Sequence, residues 1–159
     1  FDAHAGLDKR FDELLAYVEV GGTLISQYNT TSFRTKSRFT APYPIKLSRD
    51  RVSEEKVEMR VLQPDHPVFN TPNRIVNDDF DNWIQERGLY YASSWDDSYA
   101  SLLSANDRGE PARDGGLLVA QYGKGWYAYT GLSFFRQLPE GNAGAIRLFV
   151  NLISLGHGN

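Results

Sequence analysis

The sequence has 159 residues, of which 41% are hydrophobic and 23% charged, and this composition is typical of one globular domain spanning residues 1–159. The formal net charge of −3 argues against a nucleic-acid partner, and no apolar run in the sequence is long enough to predict a membrane span. Because the sequence contains no cysteine, a disulfide framework, a thiolate metal site and a cysteine nucleophile are excluded.

The N-terminal part predicts a helix that leads into a strand. Apolar residues recur at helical spacing over residues 7–18, and Gly21-Gly22 predicts the end of the helix. The β-prone residues 23–28 follow directly. A helix, a tight turn and a short apolar strand are typical of an α/β unit with a parallel strand.

The rest of the chain predicts further strands and helices. We predict strands over residues 57–62 and 89–92 and a short helix over residues 79–87. The strongest local signal is a β-hairpin, because two β-prone runs, residues 117–122 and 126–130, flank a glycine-rich loop. An amphipathic pattern over residues 145–153 predicts a C-terminal helix.

The predicted parallel strand at residues 23–28 needs a neighbour, yet only one helix precedes it. Two explanations remain open. The sheet is small and mixed, or the chain lacks an N-terminal portion that carries earlier strands. We expect the second.

Asp65 and His66 are the first candidate catalytic residues. A histidine beside an aspartate can act as a general base, whereas in a turn the same side chains bond the local backbone. No second histidine stands at metal-ligand spacing, so we predict no metal site and no cofactor.

The run from Trp83 to Gly88 is a candidate sugar-binding motif. An indole ring can stack on a pyranose, while Glu86 and Arg87 can bond its hydroxyl groups. Glu86 is also a weak candidate for an acid/base role. The alternative is the end of a helix at which Glu86 and Arg87 bridge to neighbouring loops. We add three further ligand-binding candidates of the same chemistry, which are Trp95, Asp96 and Arg136.

Two other features are weaker. Ser133 is not predicted to be a nucleophile, because the G-x-S-x-G elbow requires glycine at the position of Phe135. The basic residues at 34–38 suit a phosphate or an acidic glycan, but we expect a solvated loop there.

Four runs carry a resemblance to a known family: GGTLISQYN at residues 21–29, PDHP at 64–67, WIQERG at 83–88, and YGKG at 122–125 with FFR at 134–136. They resemble the C-terminal region of large bacterial PIG-L/LmbE-type deacetylase proteins. That region is similar to class I glutamine-amidotransferase-like domains, and also to ThuA-type domains. The resemblance implies an α/β fold of the flavodoxin-like class, a three-layer sandwich with a mostly parallel sheet plus a C-terminal β-hairpin.

The chain also departs from these families. Class I amidotransferases use a cysteine nucleophile, which this sequence lacks, and the His-Pro-Asp-Asp-type zinc motif of PIG-L deacetylases is absent. The family domain would begin with strands that precede residue 23, in agreement with the expectation of a missing N-terminal portion. Export to the periplasm or cell surface is implied by the resemblance alone.

These observations predict a non-catalytic accessory domain of a carbohydrate-processing protein. Its expected partners are a glycan and a deacetylase domain of the same parent chain. Two alternatives stay open. One is a hydrolase that uses Asp65 and His66, or Glu86, as acid and base, and the other is a structural module that forms homo-oligomers.

Overall fold

A mixed four-stranded sheet organises the fold of residues 10–29 and 41–156, the part of the chain that this computed structural model describes. The helices are α1 (Phe11–Glu19), α2 (Phe134–Gln137) and α3 (Ala143–Ile153). The strands are β1 (Thr23–Gln27), β2 (Ile45–Leu47), β3 (Arg51–Val52), β4 (Arg60–Val61), β5 (Gly88–Leu89), β6 (Ala92–Trp95), β7 (Ala100–Ser101), β8 (Leu103–Ser104), β9 (Leu117–Tyr122) and β10 (Gly125–Thr130). Short 3-10 turns lie at Pro67–Phe69 and Asn77–Phe80.

The predicted helix–strand unit at the N-terminal end is confirmed. Helix α1 buries Phe11 and Val18, and its last turn closes when the Gly22 amide donates to the Tyr17 carbonyl at 2.9 Å. Gly21 adopts φ 124°, a left-handed conformation that glycine reaches without a Cβ clash. Strand β1 then runs parallel to β10, as the sequence predicts for the strand after a helix.

The main sheet has the order β1-β10-β9-β7, with one parallel and two antiparallel pairings. The β9–β10 hairpin is confirmed, and its loop is only Gly123 and Lys124, because Gly125 already pairs with Tyr122. A two-residue loop forces antiparallel pairing, whereas parallel strands need a longer crossover. The described residues therefore form a mixed α/β fold, and the mostly parallel sheet is not confirmed.

Both faces of this sheet are buried. On one face, Ala128 and Val119 join the larger core, against which α3 packs Leu148 and Leu152. On the other face, a smaller core is covered by the β2–β6 pair. The members of this smaller core that lie on the β9–β10 hairpin and on the β2–β6 pair are Leu47, Ala92, Leu118, Ala120, Tyr127 and Tyr129. The alternation along β10 explains this division, because successive side chains of a strand point to opposite faces.

The predicted helix over residues 79–87 is wrong. Only Asn77–Phe80 forms a 3-10 turn, and the chain then becomes irregular because Asn82 and Gln85 adopt φ 58° and 66°. These left-handed conformations interrupt a right-handed helix. The strand predicted at residues 57–62 is reduced to β4, and the strand predicted at residues 89–92 divides between β5 and β6, with Tyr90 at φ 62° between them.

The C-terminal helix is confirmed as α3. Asn142 begins it, because its side-chain oxygen accepts from the Ala145 amide at 2.9 Å. The buried amide of Asn151 also fastens the loop before the second 3-10 turn to this helix. Its Nδ2 donates to the carbonyls of Val68 and Asn73, at 2.8 and 2.7 Å. None of the helices in the described part of the chain is long and apolar enough to cross a membrane.

Candidate functional site

The polar groups that merit a functional interpretation gather where β1 and β10 end. Tyr28 follows β1, and its amide donates to the Thr130 carbonyl of β10 at 2.8 Å. The chain after β10 then meets β5, because the Leu89 amide donates to the Gly131 carbonyl at 2.9 Å. In α/β folds, ligands bind beyond the carboxyl ends of parallel strands. We call Tyr28, Arg51, Glu86, Tyr90, Phe135 and Arg136 the Glu86 cluster.

The carboxylate of Glu86 is the centre of this cluster. Its side chain is only 7% exposed, yet it has three polar neighbours. The Tyr28 hydroxyl donates to Oε1 at 2.8 Å, and Nε of Arg136 donates to the same oxygen at 3.3 Å. A terminal nitrogen of Arg51 lies 3.8 Å from Oε2. These donors replace the water that a buried carboxylate loses.

Aromatic rings surround the carboxylate. The Tyr28 ring meets Phe135 edge-on at 4.7 Å between centroids and meets Tyr90 at 5.1 Å. The guanidinium carbon of Arg136 lies 4.8 Å from the centre of the Phe135 ring. Phe135 is nevertheless 48% exposed. The cluster therefore offers an apolar ring and charged groups to the same side.

Two side chains hold the segment that carries Glu86 in place. Gln137 accepts from the Ile84 amide at 2.9 Å and donates to the Ile84 carbonyl at 3.0 Å. The Ser133 hydroxyl donates to the Glu86 carbonyl at 2.6 Å and accepts from Nε2 of Gln137 at 3.1 Å. Both side chains are fully buried. Ser133 thus supports the Glu86 backbone from within the core.

The backbone around the cluster is strained at three non-glycine residues. Tyr28, Gln85 and Tyr90 adopt φ values of 49°, 66° and 62°, in the left-handed region that bulky residues rarely occupy. Such conformations persist where the surrounding structure enforces them, and they concentrate at functional sites. A close backbone approach contributes, since a Cβ on Gly88 would lie 2.3 Å from the Gly131 carbonyl oxygen.

The hydroxyl of Tyr28 stays protonated over the ordinary pH range. Burial, followed by the hydrogen bond to Glu86, raises the pKa of Tyr28 well above its usual value. Tyr28 therefore acts as a hydrogen-bond donor to the carboxylate and leaves it as an acceptor.

The side chain of Arg87 points away from the cluster, although Arg87 directly follows Glu86 in the chain. Its terminal nitrogens donate to the carbonyls of Phe80 and, at 2.7 Å, Val57, and burial lowers its pKa. It lines a separate pocket of about 480 Å³. The other lining residues of this pocket are Glu55, Lys56, Asp81, Asn82, Trp83 and Ile84.

Trp83 lies in the core. It is 2% exposed, its Nε1 donates to the Asp79 carbonyl at 3.0 Å, and its ring packs against Phe80 and Phe134 at 6.2 and 5.7 Å. These contacts leave the indole ring without a free face for a sugar.

Trp95 and Asp96 lie in a different region. Trp95 pairs with Ile45 between β6 and β2 and packs against the smaller core. The Asp96 carboxylate accepts from the Ser98 amide at 2.9 Å, and the hydrogen bonds with Ser98 lower its pKa. This is the local turn bond that short acidic side chains form. Of the six predicted ligand-binding residues, the structure brings together Glu86 and Arg136.

His66 and Asp65 lie toward the opposite end of the sheet. The His66 ring contacts Trp126 at 6.0 Å, and Trp126 pairs with Thr23 where β1 begins. Nδ1 of His66 accepts from the Val68 amide at 3.2 Å and so begins the 3-10 turn Pro67–Phe69, while burial lowers the pKa of the ring. The basic residues at 34–38 lie outside the described residues.

Within residues 10–29 and 41–156, no group of three or more histidine, aspartate or glutamate side chains is arranged to hold a metal ion. The charged groups of the Glu86 cluster, with two guanidinium groups and one carboxylate, suit hydrogen bonding and ion pairing with an organic ligand.

Comparison with known proteins identifies a related fold. No protein-family model matches the chain, and no curated protein matches it. Among solved structures, the cytoplasmic protein STM3548 from Salmonella typhimurium is similar, with a TM-score of 0.56 and 19% identity. The alignment covers 91% of this chain and 58% of STM3548, so the chain spans little more than half the length of that protein. At this identity the likeness shows a shared fold alone.

Proposed function

We propose that this chain is a non-catalytic carbohydrate-binding domain, an accessory part of a PIG-L/LmbE-like deacetylase protein. The observation that carries the proposal is the buried Glu86 carboxylate, which is held by Tyr28 and Arg136 directly beside the half-exposed ring of Phe135.

This combination suits a pyranose. The C–H groups on one face of a sugar ring pack on an aromatic ring, while the hydroxyl groups bond fixed carboxylate and guanidinium groups. Phe135 supplies the apolar surface, and Arg136 supplies donors at its edge. Gln137 and Ser133 keep the Glu86 backbone in place from behind, so the polar groups are preorganised before a ligand arrives.

The contacts of Glu86 support binding over catalysis. Its side-chain partners in the described part of the chain are one hydroxyl and two guanidinium groups. Hydrolysis of a glycosidic bond commonly uses a pair of carboxylates, one of which gives up a proton. Among its side-chain partners in the described residues, Glu86 has no such second carboxylate.

The relation to the deacetylase proteins is the second part of the proposal. The α1–β1 unit and the parallel β1–β10 pair support a flavodoxin-like arrangement. In this proposal the domain packs beside a deacetylase domain of the same exported parent chain and brings glycan to it.

An affinity measurement with a matched pair of variants tests the binding site. Phe135 and Ile153 are both 48% exposed, but Ile153 lies on α3, outside the cluster. Binding of a panel of pyranose oligosaccharides to the full chain would be measured by calorimetry. We expect Phe135→Ala to weaken binding by about tenfold, since ring stacking contributes on the order of 1 kcal/mol, and Ile153→Ala to leave it unchanged.

Equal affinity of the two variants would show that the glycan binds elsewhere. Absence of binding across the panel, with the parent chain folded, would contradict the function itself.

A further inference from the structure

The charges of the Glu86 cluster do not balance. Within the cluster, one carboxylate, Glu86, faces two guanidinium groups, Arg51 and Arg136, which leaves one positive charge. Arg51 also interacts with Asp107 outside the cluster, so the positive charge beside Phe135 is that of Arg136. The chain as a whole carries a formal charge of −3. A local positive charge on an acidic protein attracts an anion to that place rather than to the surface in general.

Arg136 is oriented for a further partner. Its Nε faces Glu86 and its guanidinium carbon lies over Phe135, so two contacts fix the plane of the group. Within the described residues, its two terminal nitrogens form no hydrogen bond, and its side chain is 33% exposed. A guanidinium group whose terminal nitrogens are free presents a planar fork that matches a carboxylate or a sulfate.

Arg51 adds a second cation on the Oε2 side of Glu86. It reaches the cluster from β3, and its side chain is 57% exposed. Its distance of 3.8 Å from the carboxylate leaves the contact loose. Arg51 can therefore turn toward a ligand without breaking a close hydrogen bond.

We propose that the ligand of the Glu86 cluster is an acidic glycan, in which a pyranose ring carries a carboxylate or sulfate group. The ring packs on Phe135, and its anionic group accepts from the terminal nitrogens of Arg136, with Arg51 as the second cation. Glu86 accepts from a sugar hydroxyl and holds Arg136 in place. This inference rests on the proposed function and specifies the class of ligand.

A pair of ligands that differ only in charge provides the test. Oligogalacturonate carries a carboxylate on each ring, and its methyl ester has the same rings without the charge. We expect the full chain to bind the acid about tenfold or more tightly than the ester, because a charge-assisted pair contributes roughly 1.5 kcal/mol or more. Added salt weakens the binding of the acid, because it screens exposed charges.

Variants assign this preference to Arg136. Arg136→Gln lowers the affinity for the acid much more than the affinity for the ester and so removes the preference, whereas Arg136→Lys retains part of the preference. Arg108 is an exposed arginine outside the cluster, so Arg108→Gln serves as the control. If Arg136→Gln does not fold, the more exposed Arg51→Gln replaces it, with an expected loss of about threefold.

An oligosaccharide from a sulfated galactan, which carries sulfate groups and no carboxylate, forms the second arm. Tighter binding of this sulfated ligand than of the carboxylated one identifies sulfate as the anionic group, and the reverse identifies carboxylate. Equal affinity for the acid, its ester and the sulfated ligand overturns the acidic preference but leaves the proposed glycan function standing. Absence of binding to all three, and to neutral oligosaccharides as well, overturns both.

Discussion

Glu86 and Arg87 are adjacent residues that are almost equally buried, at 6% and 4% exposure, yet their side chains lie in different surroundings. Arg87 is held by main-chain carbonyls of Phe80 and Val57. Glu86 is held by side chains that themselves reach solvent, such as Arg51 and Arg136. Both terminal nitrogens of Arg87 are paired with the main chain, and its buried Nε has no partner among the described residues. The terminal nitrogens of Arg136, by contrast, form no hydrogen bond in the described part of the chain and lie on a side chain that is 33% exposed.

The comparison teaches that burial alone does not separate a structural charge from a recognition group. The two cases differ in whether the hydrogen-bonding groups of the partners are all occupied. Carbonyl groups bound to Arg87 are fixed by the backbone, so this side chain stabilises the fold. Among the residues that the structure describes, Arg136 keeps unpaired terminal nitrogens while it binds Glu86, so Glu86 organises a surface.

A pH above 10 should cause the largest loss of stability, because two tyrosines near Glu86 and Arg87 have raised pKa values. Burial is the main cause for both Tyr91, which is 1% exposed, and Tyr28. A folded pKa above the unfolded value of about 10 means that stability is fully present below pH 10 and is lost as the pH rises. We expect a loss of about 1.4 kcal/mol per pH unit above 10 for the fully buried Tyr91 alone.

Urea unfolding at several pH values, followed with phenolate absorbance, would check this effect. Tyr99, Tyr127 and Tyr129 also have pKa values raised mainly by burial, so their phenolates should appear together with unfolding. Titration of all nine tyrosines near pH 10 with the fold intact would contradict the account.

Substitution of Arg87 should cause the next largest loss of stability. Arg87→Met leaves the carbonyls of Phe80 and Val57 without their donor in a buried place, and we expect a loss of about 3 kcal/mol in the free energy of unfolding. Chemical denaturation measures this loss. Arg108→Met, at an exposed position, should change stability by less than about 0.5 kcal/mol. A similar small change for Arg87→Met would mean that Arg87 is not a structural anchor.

Ser133 tests the support behind Glu86 with a smaller change. Ser133→Ala removes the donor to the Glu86 carbonyl and the acceptor of the Gln137 amide, at a cost of about 1–2 kcal/mol. The exposed Ser94→Ala serves as the control in the same denaturation experiment. Unchanged stability of Ser133→Ala would show that the segment is held by other contacts.

The smallest effect on stability and binding is expected for a substitution within the Glu86 cluster. Tyr28→Phe keeps the ring but removes one donor to Glu86, which still has Arg136 and Arg51. We expect glycan affinity to fall by about threefold and stability by at most about 1 kcal/mol. Tyr17→Phe, at a 53% exposed position on α1, is the matched control for calorimetry. A loss of binding beyond about a hundredfold would assign Tyr28 a direct role with the ligand.

The sequence predicts those elements whose signal is local. The hairpin β9–β10 follows from two β-prone runs around Gly123, and α3 follows from the helical repeat of its apolar residues. The order of the sheet depends on pairing between β1 and β10, which are far apart in sequence, and no local pattern encodes such a register.

The candidate site was predicted only in part, because the helix predicted over residues 79–87 does not form. A helix over residues 79–87 would place Trp83, Glu86 and Arg87 on one face, since residues three and four apart are neighbours on a helix. The left-handed conformations of Asn82 and Gln85 remove that helix, so the three side chains separate. Glu86 and Arg136 were identified by their chemistry alone.

Tyr28, Arg51, Tyr90 and Phe135 were not identified from the sequence. One signal was present, because Tyr28 directly follows a predicted parallel strand, where the carboxyl ends of α/β strands bind ligands. Arg51, Tyr90 and Phe135 reach the cluster through long-range pairings such as β3 with β5, which the sequence does not show.

Mapping of ligand contacts by nuclear magnetic resonance is the most direct test of the Glu86 cluster as the binding site. The isotope-labelled full chain would be titrated with oligogalacturonate, and the chemical-shift changes assigned to residues. The account predicts that the largest changes fall on Tyr28, Tyr90, Phe135 and Arg136. Changes concentrated instead on the pocket lined by Glu55, Lys56 and Arg87, or around Trp95 and Asp96, would contradict it.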